Sequence, residues 1–522
     1  MADHQLHSKV AGKWSNYKGK NQSWPQGCRP KKNFIFMVSD GFGTASETIA
    51  REYFLFQQYG KDLNKAFLDT DSILPLDSLL VGSSRTKSSD SWVTDSASAA
   101  TAMASGFKTY NEAIGVDANK VPGSTVLEAA KYKGYTTGLV ATSRVTHATP
   151  ASWSAHVVQR DDEDVIAAQQ IGDNVLGRQV DLMIGGGRGF FLPKSLGSKV
   201  SSRPDERDLT KEAVEKYGFK KVVLDRDALL ALKEDSANLP LLGLFTKSHM
   251  SYEIDRDATK EPSLAEMAHA ALSMLAEKSS DCHSPGFFVM IEGSRIDHAS
   301  HSNDAAAHIR DILAYQDAVS VVKDFVKQNP NTAAISVSDH ECGGVTAGLQ
   351  NDLTIDPAKF YRWNAENMKA TASIESFYGP LLKAPEDANL EKLIKDTVAA
   401  KLGVTDVTAA EMTEVLAARK VEASGVTPLD YPFQWALARL VVNRTLVGFS
   451  THGHTGMDVN LYAINAPGLK GSVDNTYLAE YSAKFLEVDD VMPMLTQRLA
   501  KQKTVRDGPK PAKRSVDLYP YA

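Results

Sequence analysis

An acid and a serine stand side by side in Val93-Thr-Asp-Ser-Ala-Ser-Ala-Ala-Thr-Ala102, just before a run of small, helix-forming residues. A lone serine is a poor nucleophile at neutral pH and needs a base, a metal or a helix N-terminus to activate it. A helix that begins at Ser96 would place free N–H groups and the positive end of its dipole beside the hydroxyl, which favours negative charge there. Asp-Ser before an alanine-rich segment is more often an ordinary helix N-cap, so the dipeptide alone is a weak signal of chemistry.

A second set of side chains, all acids and histidines, follows short apolar segments of the chain. Ligands of open α/β sheets bind beyond the carboxyl ends of the strands, so these side chains stand where a site is expected. So many carboxylates and imidazoles cannot be buried together without compensating charge, which divalent metals would supply. Histidine with aspartate suits Zn²⁺, whereas carboxylate with hydroxyl suits Mg²⁺. The residues are Asp40, Glu292, Asp297, His301, Asp339, His340 and His454.

The spacing of these residues adds information. Asp297 and His301 are four residues apart, so on a helix both would lie on one face within reach of one metal, although a surface ion pair has the same spacing. Asp339-His340 follows an apolar segment, where the two side chains could turn to one ion or form a solvated turn. His454, in a loop-like sequence, is uninformative by itself.

The elements that must position these residues are read from the apolar segments. Short apolar runs alternate with helical patterns, which predicts an α/β fold with a large, mostly parallel sheet covered by helices on both faces. Charged helical patterns replace the strand rhythm at about residues 351–431, and strands resume near Leu446 and Leu461, so we expect a mainly helical insertion. We divide the chain into an N-terminal arm (1–32), a catalytic domain (33–500) and a C-terminal tail (501–522). The predicted strands are 33–38, 137–141, 180–184, 286–291 and 333–337.

Composition and charge limit the class of protein. The chain has 522 residues, of which 43% are hydrophobic and 23% are charged, as in soluble globular proteins. A net charge of −6 gives no electrostatic reason to expect nucleic acid as a partner. No apolar run is long enough to span a bilayer, and the first 20 residues lack the pattern of a signal sequence, so we expect either a cytosolic protein or one whose targeting segment is not part of this sequence.

Cysteines and glycosylation motifs leave the compartment open. Cys28, Cys282 and Cys342 permit at most one disulfide, so no disulfide framework holds the fold together. Cys342 lies two residues after His340 and invites the role of an extra metal ligand, but a buried structural thiol is the simpler interpretation. The sequons at Asn21 and Asn443 are a weak indication of a secretory route.

Seven motifs together occur in the order and approximate spacing of one family. The chain resembles the alkaline phosphatases over about residues 33–466, apart from the insertion, and further runs such as Tyr110-Asn-Glu-Ala-Ile-Gly-Val-Asp117 look most like the fungal vacuolar (repressible) branch. The resemblance implies a three-layer α/β sandwich, a homodimer, and a vacuolar or secretory location. The motifs are Ser-Asp40-Gly, Val-Thr-Asp95-Ser96-Ala, Thr146-His-Ala-Thr149-Pro, Ala155-His-Val-Val-Gln-Arg160, Glu292-Gly-Ser-Arg-Ile-Asp297-His-Ala-Ser-His301, Ser-Asp339-His340-Glu and His-Gly-His454-Thr-Gly.

The same resemblance implies two zinc ions and one magnesium ion per chain, and a phosphoserine intermediate on Ser96 in the hydrolysis of phosphate monoesters. Arg160 matches the arginine that clamps the phosphate, and Asp95 matches the residue that orients it. His147 stands where the best-known bacterial enzyme has an aspartate near magnesium, and His298 where it has a lysine near the phosphate. The implied ligand sets are Asp297, His301 and His454 for one zinc, Asp40, Asp339, His340 and Ser96 for the other, and Asp40, Thr149 and Glu292 for magnesium.

Other functions remain to be weighed against a phosphomonoesterase. A sulfatase needs a C/S-x-P-x-R setting around its nucleophile, which the sequence after Ser96 lacks. A phosphodiesterase of the same superfamily usually has threonine as nucleophile and no match to Arg160. A catalytically silent metal or phosphate binder would lack part of the residue set. Some animal relatives also carry a calcium site, for which Glu253 and Glu261 are candidate ligands here. The sequence carries no signal for one particular phosphate ester as the physiological substrate.

Overall fold

The structure is a computed structural model, and it describes residues 31–60, 62–425 and 431–502. Cys28, the sequon at Asn21, most of the N-terminal arm and nearly all of the C-terminal tail lie outside the described residues. Within the described ranges the strands are β1 Asn33–Ser39, β2 Leu80–Arg85, β3 Thr136–Arg144, β4 Leu182–Gly186, β5 Lys221–Val223, β6 Leu241–Leu244, β7 Phe287–Gly293, β8 Thr332–Val337, β9 Glu341–Cys342, β10 Thr346–Ala347, β11 Val447–Gly448, β12 His454–Thr455, β13 Val459–Ile464 and β14 Gly471–Asp474.

Helices account for most of the remaining regular structure. Within the same ranges the α-helices are α1 Thr44–Tyr59, α2 Leu63–Leu68, α3 Ser96–Ser105, α4 Val126–Tyr132, α5 Ala148–Ser152, α6 Glu163–Ile171, α7 Leu209–Glu215, α8 Arg226–Leu230, α9 Leu264–Lys278, α10 Arg295–His301, α11 Ala305–Gln328, α12 Glu375–Lys383, α13 Leu390–Leu402, α14 Ala409–Ala423, α15 Pro432–Thr445, α16 Thr476–Leu486 and α17 Met492–Leu499. None of these helices combines the length and apolarity needed to cross a bilayer.

Ten of the described strands form one twisted, mixed sheet in the order β14-β2-β13-β8-β1-β7-β3-β4-β6-β5. All neighbouring pairs are parallel except those that β13 makes with β2 and β8, which are antiparallel. The α/β prediction of a large, mostly parallel sheet is therefore confirmed. The five central strands β8, β1, β7, β3 and β4 are buried almost throughout, as expected for parallel strands covered on both faces.

The layers on both sides of the sheet follow from the alternation of side chains along the strands. In β1, Phe34, Phe36 and Val38 enter the hydrophobic core on one face, whereas Ile35 and Met37 enter the core on the other. Successive side chains of a strand point to opposite faces, so one continuously apolar strand contributes to two cores. Burial on both faces holds the strand register, and with it the positions of the residues that leave the strand ends.

The segment at residues 351–431 is mainly helical, with α12, α13 and α14 inside it. Its buried side chains share a third hydrophobic core with the catalytic domain, in which Phe377 and Ile394 of the insertion pack with Ile49 of α1 and Ile309 of α11. The insertion therefore packs on the helices that flank the sheet. One detail of the sequence interpretation is wrong: the strand near Leu446 is β11, which pairs with β10 in a separate two-stranded sheet and does not continue the central one.

Candidate active site

Ser96 is the first residue of α3, and Asp95 is the N-cap whose carboxylate accepts a hydrogen bond from the Ser98 amide at 2.9 Å. Ser96 is only 2% exposed, and its Oγ lies 3.0 Å from Nε2 of His340. A side-chain hydroxyl at the first turn of a helix is close to free amide groups and the positive dipole end. The helix cap and the reactive position are thus two aspects of one local structure.

Parallel strands bring the acidic residues together at one edge of the sheet. Glu292 in β7 is in register with Val38 of β1, and Asp40 lies two residues after Val38, directly after the end of β1. On the other side of β1, strand β8 pairs Val337 with Val38, and Asp339 follows two residues later. The carboxyl ends of three adjacent strands therefore supply three carboxylates to the same place, as strand-end reasoning predicts.

Asp297, His301 and His454 form a group that we call the His301 cluster. Asp297 and His301 are on α10, and their Oδ2 and Nε2 atoms are 3.2 Å apart. Both side chains are at most slightly exposed, which excludes a solvated surface pair. His454 arrives from a distant part of the chain because β12 pairs with β9, and its Nε2 lies 3.5 Å from Asp297 Oδ1.

The imidazoles of the His301 cluster turn their lone pairs towards each other. Nδ1 of His301 contacts the carbonyl oxygen of His452 at 2.5 Å, and Nδ1 of His454 contacts that of Thr94 at 2.7 Å. A carbonyl oxygen only accepts hydrogen bonds, so Nδ1 carries the proton in both rings and Nε2 carries the lone pair of a neutral ring. The two Nε2 atoms are 3.1 Å apart. Two lone pairs this close repel each other unless a proton or a metal ion lies between them, so the arrangement suits cation binding.

The second group, the His340 cluster, contains Asp40, Asp339 and His340, all fully buried. Nε2 of His340 lies 3.2 Å from Asp339 Oδ2 and 3.6 Å from Asp40 Oδ1. It also contacts Ser96 Oγ, so the serine hydroxyl faces the same point as both carboxylates. The His340 ring stacks on His454 at 3.5 Å between centroids, which places the two clusters side by side.

A third group, the Glu292 cluster, consists of Asp40, Thr149 and Glu292. Both carboxylate oxygens of Asp40, Oε1 of Glu292 and Oγ1 of Thr149 are buried and have no hydrogen-bond partner in the described residues. A buried polar atom without a partner costs about 1–3 kcal/mol, and more when it is charged, so the cost needs an explanation. A hard divalent cation would satisfy these oxygen donors, and the donor set fits magnesium.

The pKa shifts of the buried side chains also favour bound cations. Burial, with Asp339, Asp297 and Glu292 adding repulsion, raises the pKa of Asp40 well above its usual range. Burial likewise raises the pKa of Glu292 to about 8. Burial lowers the pKa of His454 to about 3, so its lone pair is available at any ordinary pH. Carboxylates this crowded are expected to stay ionised at neutral pH only when cations lie between them.

Arg160 is bound to Asp95, the residue before Ser96. Its Nη1 donates to Asp95 Oδ2 at 3.1 Å, and its Nη2 donates to His147 Nε2 at 3.0 Å. Asp95 Oδ2 also accepts the Glu112 amide at 2.8 Å, so the carboxylate that orients the guanidinium is itself held in place. A planar guanidinium held in this way can present a fork of donors to an oxyanion.

A further group of rings, which the sequence interpretation did not assemble, contains His147, His249 and His298. The ring centroids of His249 and His298 are 4.2 Å apart, and those of His147 and His298 are 5.3 Å apart. Each ring accepts a hydrogen bond from an arginine, so we call the group the histidine–arginine cluster. The contacts are Arg160 Nη2 to His147 Nε2 at 3.0 Å, Arg144 Nη1 to His249 Nε2 at 2.6 Å and Arg295 Nη1 to His298 Nδ1 at 2.9 Å.

Cys342 lies within reach of the His301 cluster. Its Sγ contacts the carbonyl oxygens of Asp297 and Gly453, both at 3.7 Å, which gives the S–H group acceptors. Burial raises the pKa of the thiol well above its usual value, so it is expected to remain protonated. Cys342 is a free thiol, whereas Cys282 is in a disulfide. A protonated, hydrogen-bonded thiol suits the structural interpretation better than the ligand one.

The comparisons with known proteins agree with this geometry. The family model for alkaline phosphatase matches residues 31–488. The chain belongs to the alkaline phosphatase family. It is 41% identical to the repressible alkaline phosphatase of Saccharomyces cerevisiae, with 88% of this chain and 82% of the yeast protein covered. It is 40% identical to the alkaline phosphatase of Schizosaccharomyces pombe, with 89% and 83% covered.

Solved structures give the same family. The alkaline phosphatase of Thermus thermophilus superposes with a TM-score of 0.72 at 29% identity, covering 93% of this chain and 98% of the bacterial one. The chain is therefore an alkaline phosphatase-family hydrolase with groups of residues suited to metal binding, in a family that depends on metals.

The candidate calcium ligands of this alkaline phosphatase have other partners. Arg256 Nη2 and Nε donate to the two carboxylate oxygens of Glu253 at 2.7 and 2.8 Å. Glu261 accepts from the amide and the hydroxyl of Ser251 at 2.9 and 2.7 Å. A guanidinium thus compensates Glu253, and in the described part of the chain Glu253 and Glu261 do not converge as a group of metal ligands.

Proposed function

We propose that this protein hydrolyses phosphate monoesters to an alcohol and inorganic phosphate, with Ser96 as the nucleophile and a phosphoserine intermediate. The observation that carries the proposal is the convergence of atoms that can bind a metal ion, imidazole nitrogens and carboxylate oxygens, around one hydroxyl group. Ser96 Oγ shares Nε2 of His340 with Asp40 and Asp339, and the facing Nε2 atoms of the His301 cluster lie alongside. A silent relative would be expected to lack part of this arrangement.

Three cations would be held by the residues described. The His301 cluster suits one zinc ion, and the His340 cluster with Ser96 suits a second, since both combine imidazole with carboxylate. The Glu292 cluster suits magnesium and shares Asp40 with the second zinc. When bound, such ions lower the pKa of a hydroxyl or a water molecule and stabilise the attacking and leaving oxygens of an in-line displacement.

The protein groups then have defined tasks. Ser96 forms the Oγ–P bond as the bond from phosphorus to the leaving alkoxide breaks, and water later cleaves the Oγ–P ester to release phosphate. Arg160 binds two nonbridging oxygens through its fork, while Asp95 holds the guanidinium. The N-terminus of α3 adds positive potential at the same place. Phosphoryl transfer needs mainly this positioning and charge stabilisation from the protein.

Two histidines are expected to tune the reaction. His147 lies between Arg160 and His298 and brings no carboxylate to the magnesium side, so we propose that magnesium is held weakly and must be added for full activity. Burial lowers the pKa of His298 well below its usual value, so at alkaline pH the ring is neutral and holds product phosphate less firmly than a lysine would. The neutral ring favours an alkaline optimum.

The proposed chemistry is tested by metal analysis together with turnover of p-nitrophenyl phosphate, for wild type, Ser96→Ala and Ser105→Ala. Ser105 ends the same helix and is buried with no hydrogen-bond partner for its hydroxyl, so it is a matched control. Wild type and Ser105→Ala should hold about two zinc ions per chain and turn over substrate. Ser96→Ala should keep its metal and lose most of its activity. In wild type, radioactive phosphate should label Ser96 after acid quenching. A fully metallated but inactive wild type would overturn the proposal.

The assembly and the domain division are also proposals. By resemblance to the family we propose a homodimer in which residues 33–500 form one catalytic unit and the 351–431 segment remains attached to it. Sedimentation equilibrium would give the mass of two chains, and a single-chain mass at micromolar concentration would contradict the dimer. The shared core of Phe377 and Ile309 supports the attachment of the insertion.

A further inference from the structure

Arg295 is a buried cation that the proposed reaction does not use. It is 1% exposed, and its Nη2 donates to both carboxylate oxygens of Glu375 at 2.9 and 2.8 Å. Its guanidinium lies over the ring of Tyr252, 3.7 Å from the centroid. Contacts with a carboxylate and an aromatic face fix the plane of the guanidinium, so its remaining donors have set directions.

One of those donors determines the state of His298. Arg295 and His298 are three residues apart on α10, and Nη1 lies 2.9 Å from Nδ1 of the ring. Arginine has only donors, so Nδ1 must accept, and the ring proton must therefore be on Nε2. The hydrogen bond thus selects one tautomer of His298, whereas an imidazole without such a partner exchanges between two.

The selected N–H group has no acceptor in the part of the protein that the structure describes. Nε2 of His298 is buried and has no hydrogen-bond partner among the described residues. A buried donor in this state is unfavourable, so it implies an acceptor that arrives from outside. Three histidines this close resemble a metal site, but Arg144, Arg160 and Arg295 each donate to one of the rings. Each of these hydrogen bonds occupies the ring lone pair that a metal ion would need, and it leaves the N–H group of the ring to donate to an oxyanion.

The arginine is in turn held from the inserted segment. Glu375 is the first residue of α12, and the residues before it are fixed by hydrogen bonds from the Ser373 amide to Asp255 at 3.0 Å and from the Ile374 amide to Asp304 at 2.8 Å. These contacts set the position of Glu375 and, through it, of Arg295. The Glu375 carboxylate therefore connects the insertion to the histidine–arginine cluster.

We propose that Arg295, held by Glu375 of the insertion, is a positioning residue that keeps the proton of His298 on Nε2, so that His298 donates a hydrogen bond to a phosphate oxygen. This proposal rests on the proposed function, because it takes the phosphate group of the substrate and of the product as the missing acceptor. With the other tautomer, the ring would turn a lone pair towards the oxyanion and weaken phosphate binding.

The test compares Arg295→Met and the milder Glu375→Gln with Arg419→Met. Arg419 is a buried arginine of α14 that donates to the carbonyls of Leu381 and Leu382 at the end of α12, so its loss perturbs the insertion without touching His298. In Arg295→Met, KM and the inhibition constant of inorganic phosphate should rise about tenfold, with a smaller loss of kcat and unchanged metal content. Glu375→Gln should shift them less, in the same direction. Arg419→Met should leave both constants unchanged.

A double-mutant cycle separates positioning from folding. His298→Gln offers an amide N–H that has no tautomers, so adding Arg295→Met in that background should change the phosphate constants little. An equal loss in both backgrounds, or no change in either, would overturn the proposal. A wild-type protein that does not hydrolyse the substrate would instead contradict the proposed function.

The tautomer itself can be read without activity. With ¹⁵N-labelled histidine, the His298 resonances, assigned by their loss in His298→Gln, should show a proton on Nε2 in wild type and exchange between two forms in Glu375→Gln or Arg295→Met. A wild-type ring protonated on Nδ1 would overturn the proposal.

Discussion

The candidate active site contains two groups of largely buried histidines, one arranged to bind a cation and the other to bind an oxyanion. In the His301 cluster, backbone carbonyls bind Nδ1 of His301 and His454, and the two Nε2 lone pairs face each other at 3.1 Å. In the histidine–arginine cluster, every ring accepts from a guanidinium. The partner of one ring nitrogen thus decides what the other can bind. The first arrangement suits a cation, and the second suits an oxyanion.

The largest expected effect comes from breaking the cation side. His301→Ala removes a lone pair from the converging set, so we expect loss of about one zinc ion per chain and a fall in kcat of about a thousandfold, since metal stabilisation is worth several kcal/mol. His249→Ala removes a ring of the other cluster that is more deeply buried, and this variant should keep the metal. Mass spectrometry of bound metals and turnover assays measure both. Equal metal loss in the two variants would contradict the distinction between a cluster that binds a cation and a cluster that binds an oxyanion.

A smaller effect is expected from the anion side. Arg160→Lys keeps the charge but loses the fork that reaches an oxyanion, so kcat/KM should fall about 10- to 100-fold while metal content stays constant. Arg226→Lys is the control, because Arg226 also forks onto a carboxylate, that of Glu266, outside both clusters. Steady-state kinetics with p-nitrophenyl phosphate give the comparison. Wild-type kinetics in Arg160→Lys would show that the guanidinium does not bind phosphate.

His147→Asp replaces an imidazole of the histidine–arginine cluster with a carboxylate, which is a ligand suited to a cation. A carboxylate at this position should reduce the magnesium concentration for half-maximal activity about tenfold, because Mg²⁺ prefers carboxylate oxygens. His147→Asn, which lacks the charge, should leave that concentration close to the wild-type value. Titration of metal-depleted enzyme with magnesium measures it. If His147→Asp needs as much magnesium as wild type does, residue 147 does not affect magnesium binding.

The smallest effect concerns the pH dependence of the metal-free protein. Burial raises the pKa of Glu292 to about 8, above its unfolded value, so the folded state binds one proton more at intermediate pH. Stability from this group is therefore present at low pH and falls by about 1.4 kcal/mol per pH unit as pH rises towards 8. Chelator-treated protein should melt a few degrees lower at about pH 8 than at about pH 6. Glu292→Gln should remove much of that difference, and an unchanged difference would exclude Glu292 as its source.

Much of the fold could be predicted because its signals are local. The central strands are continuous apolar runs, and each lies within three residues of its predicted bounds, for example Leu182–Gly186 against the predicted 180–184. The edge strands β5 and β14, and β2 next to β14, escaped prediction because they are short or partly exposed, and their apolar pattern is weak. Pairing across the sheet, such as the antiparallel placement of β13, depends on contacts far apart in the sequence.

The candidate site divides in the same way. Strand-end position singled out Asp40 and the four-residue spacing singled out the Asp297/His301 pair, and the structure places them in two neighbouring clusters. His249, Arg295 and Glu375 were missed because each has an ordinary sequence context and acquires its role from distant partners. Only the three-residue spacing of Arg295 and His298 on α10 gave a local signal. Tautomers depend on which partner meets each nitrogen, which the sequence does not encode locally.

The most direct measurement is a crystal structure of the metal-loaded enzyme with bound phosphate, with anomalous diffraction recorded on both sides of the zinc absorption edge. The expected result is zinc bonded to Nε2 of both His301 and His454, no metal among His147, His249 and His298, and a phosphate oxygen within hydrogen-bond distance of His298 Nε2. Zinc bonded within the histidine–arginine cluster, or no metal between His301 and His454, would contradict the opposite use of the two groups of histidines.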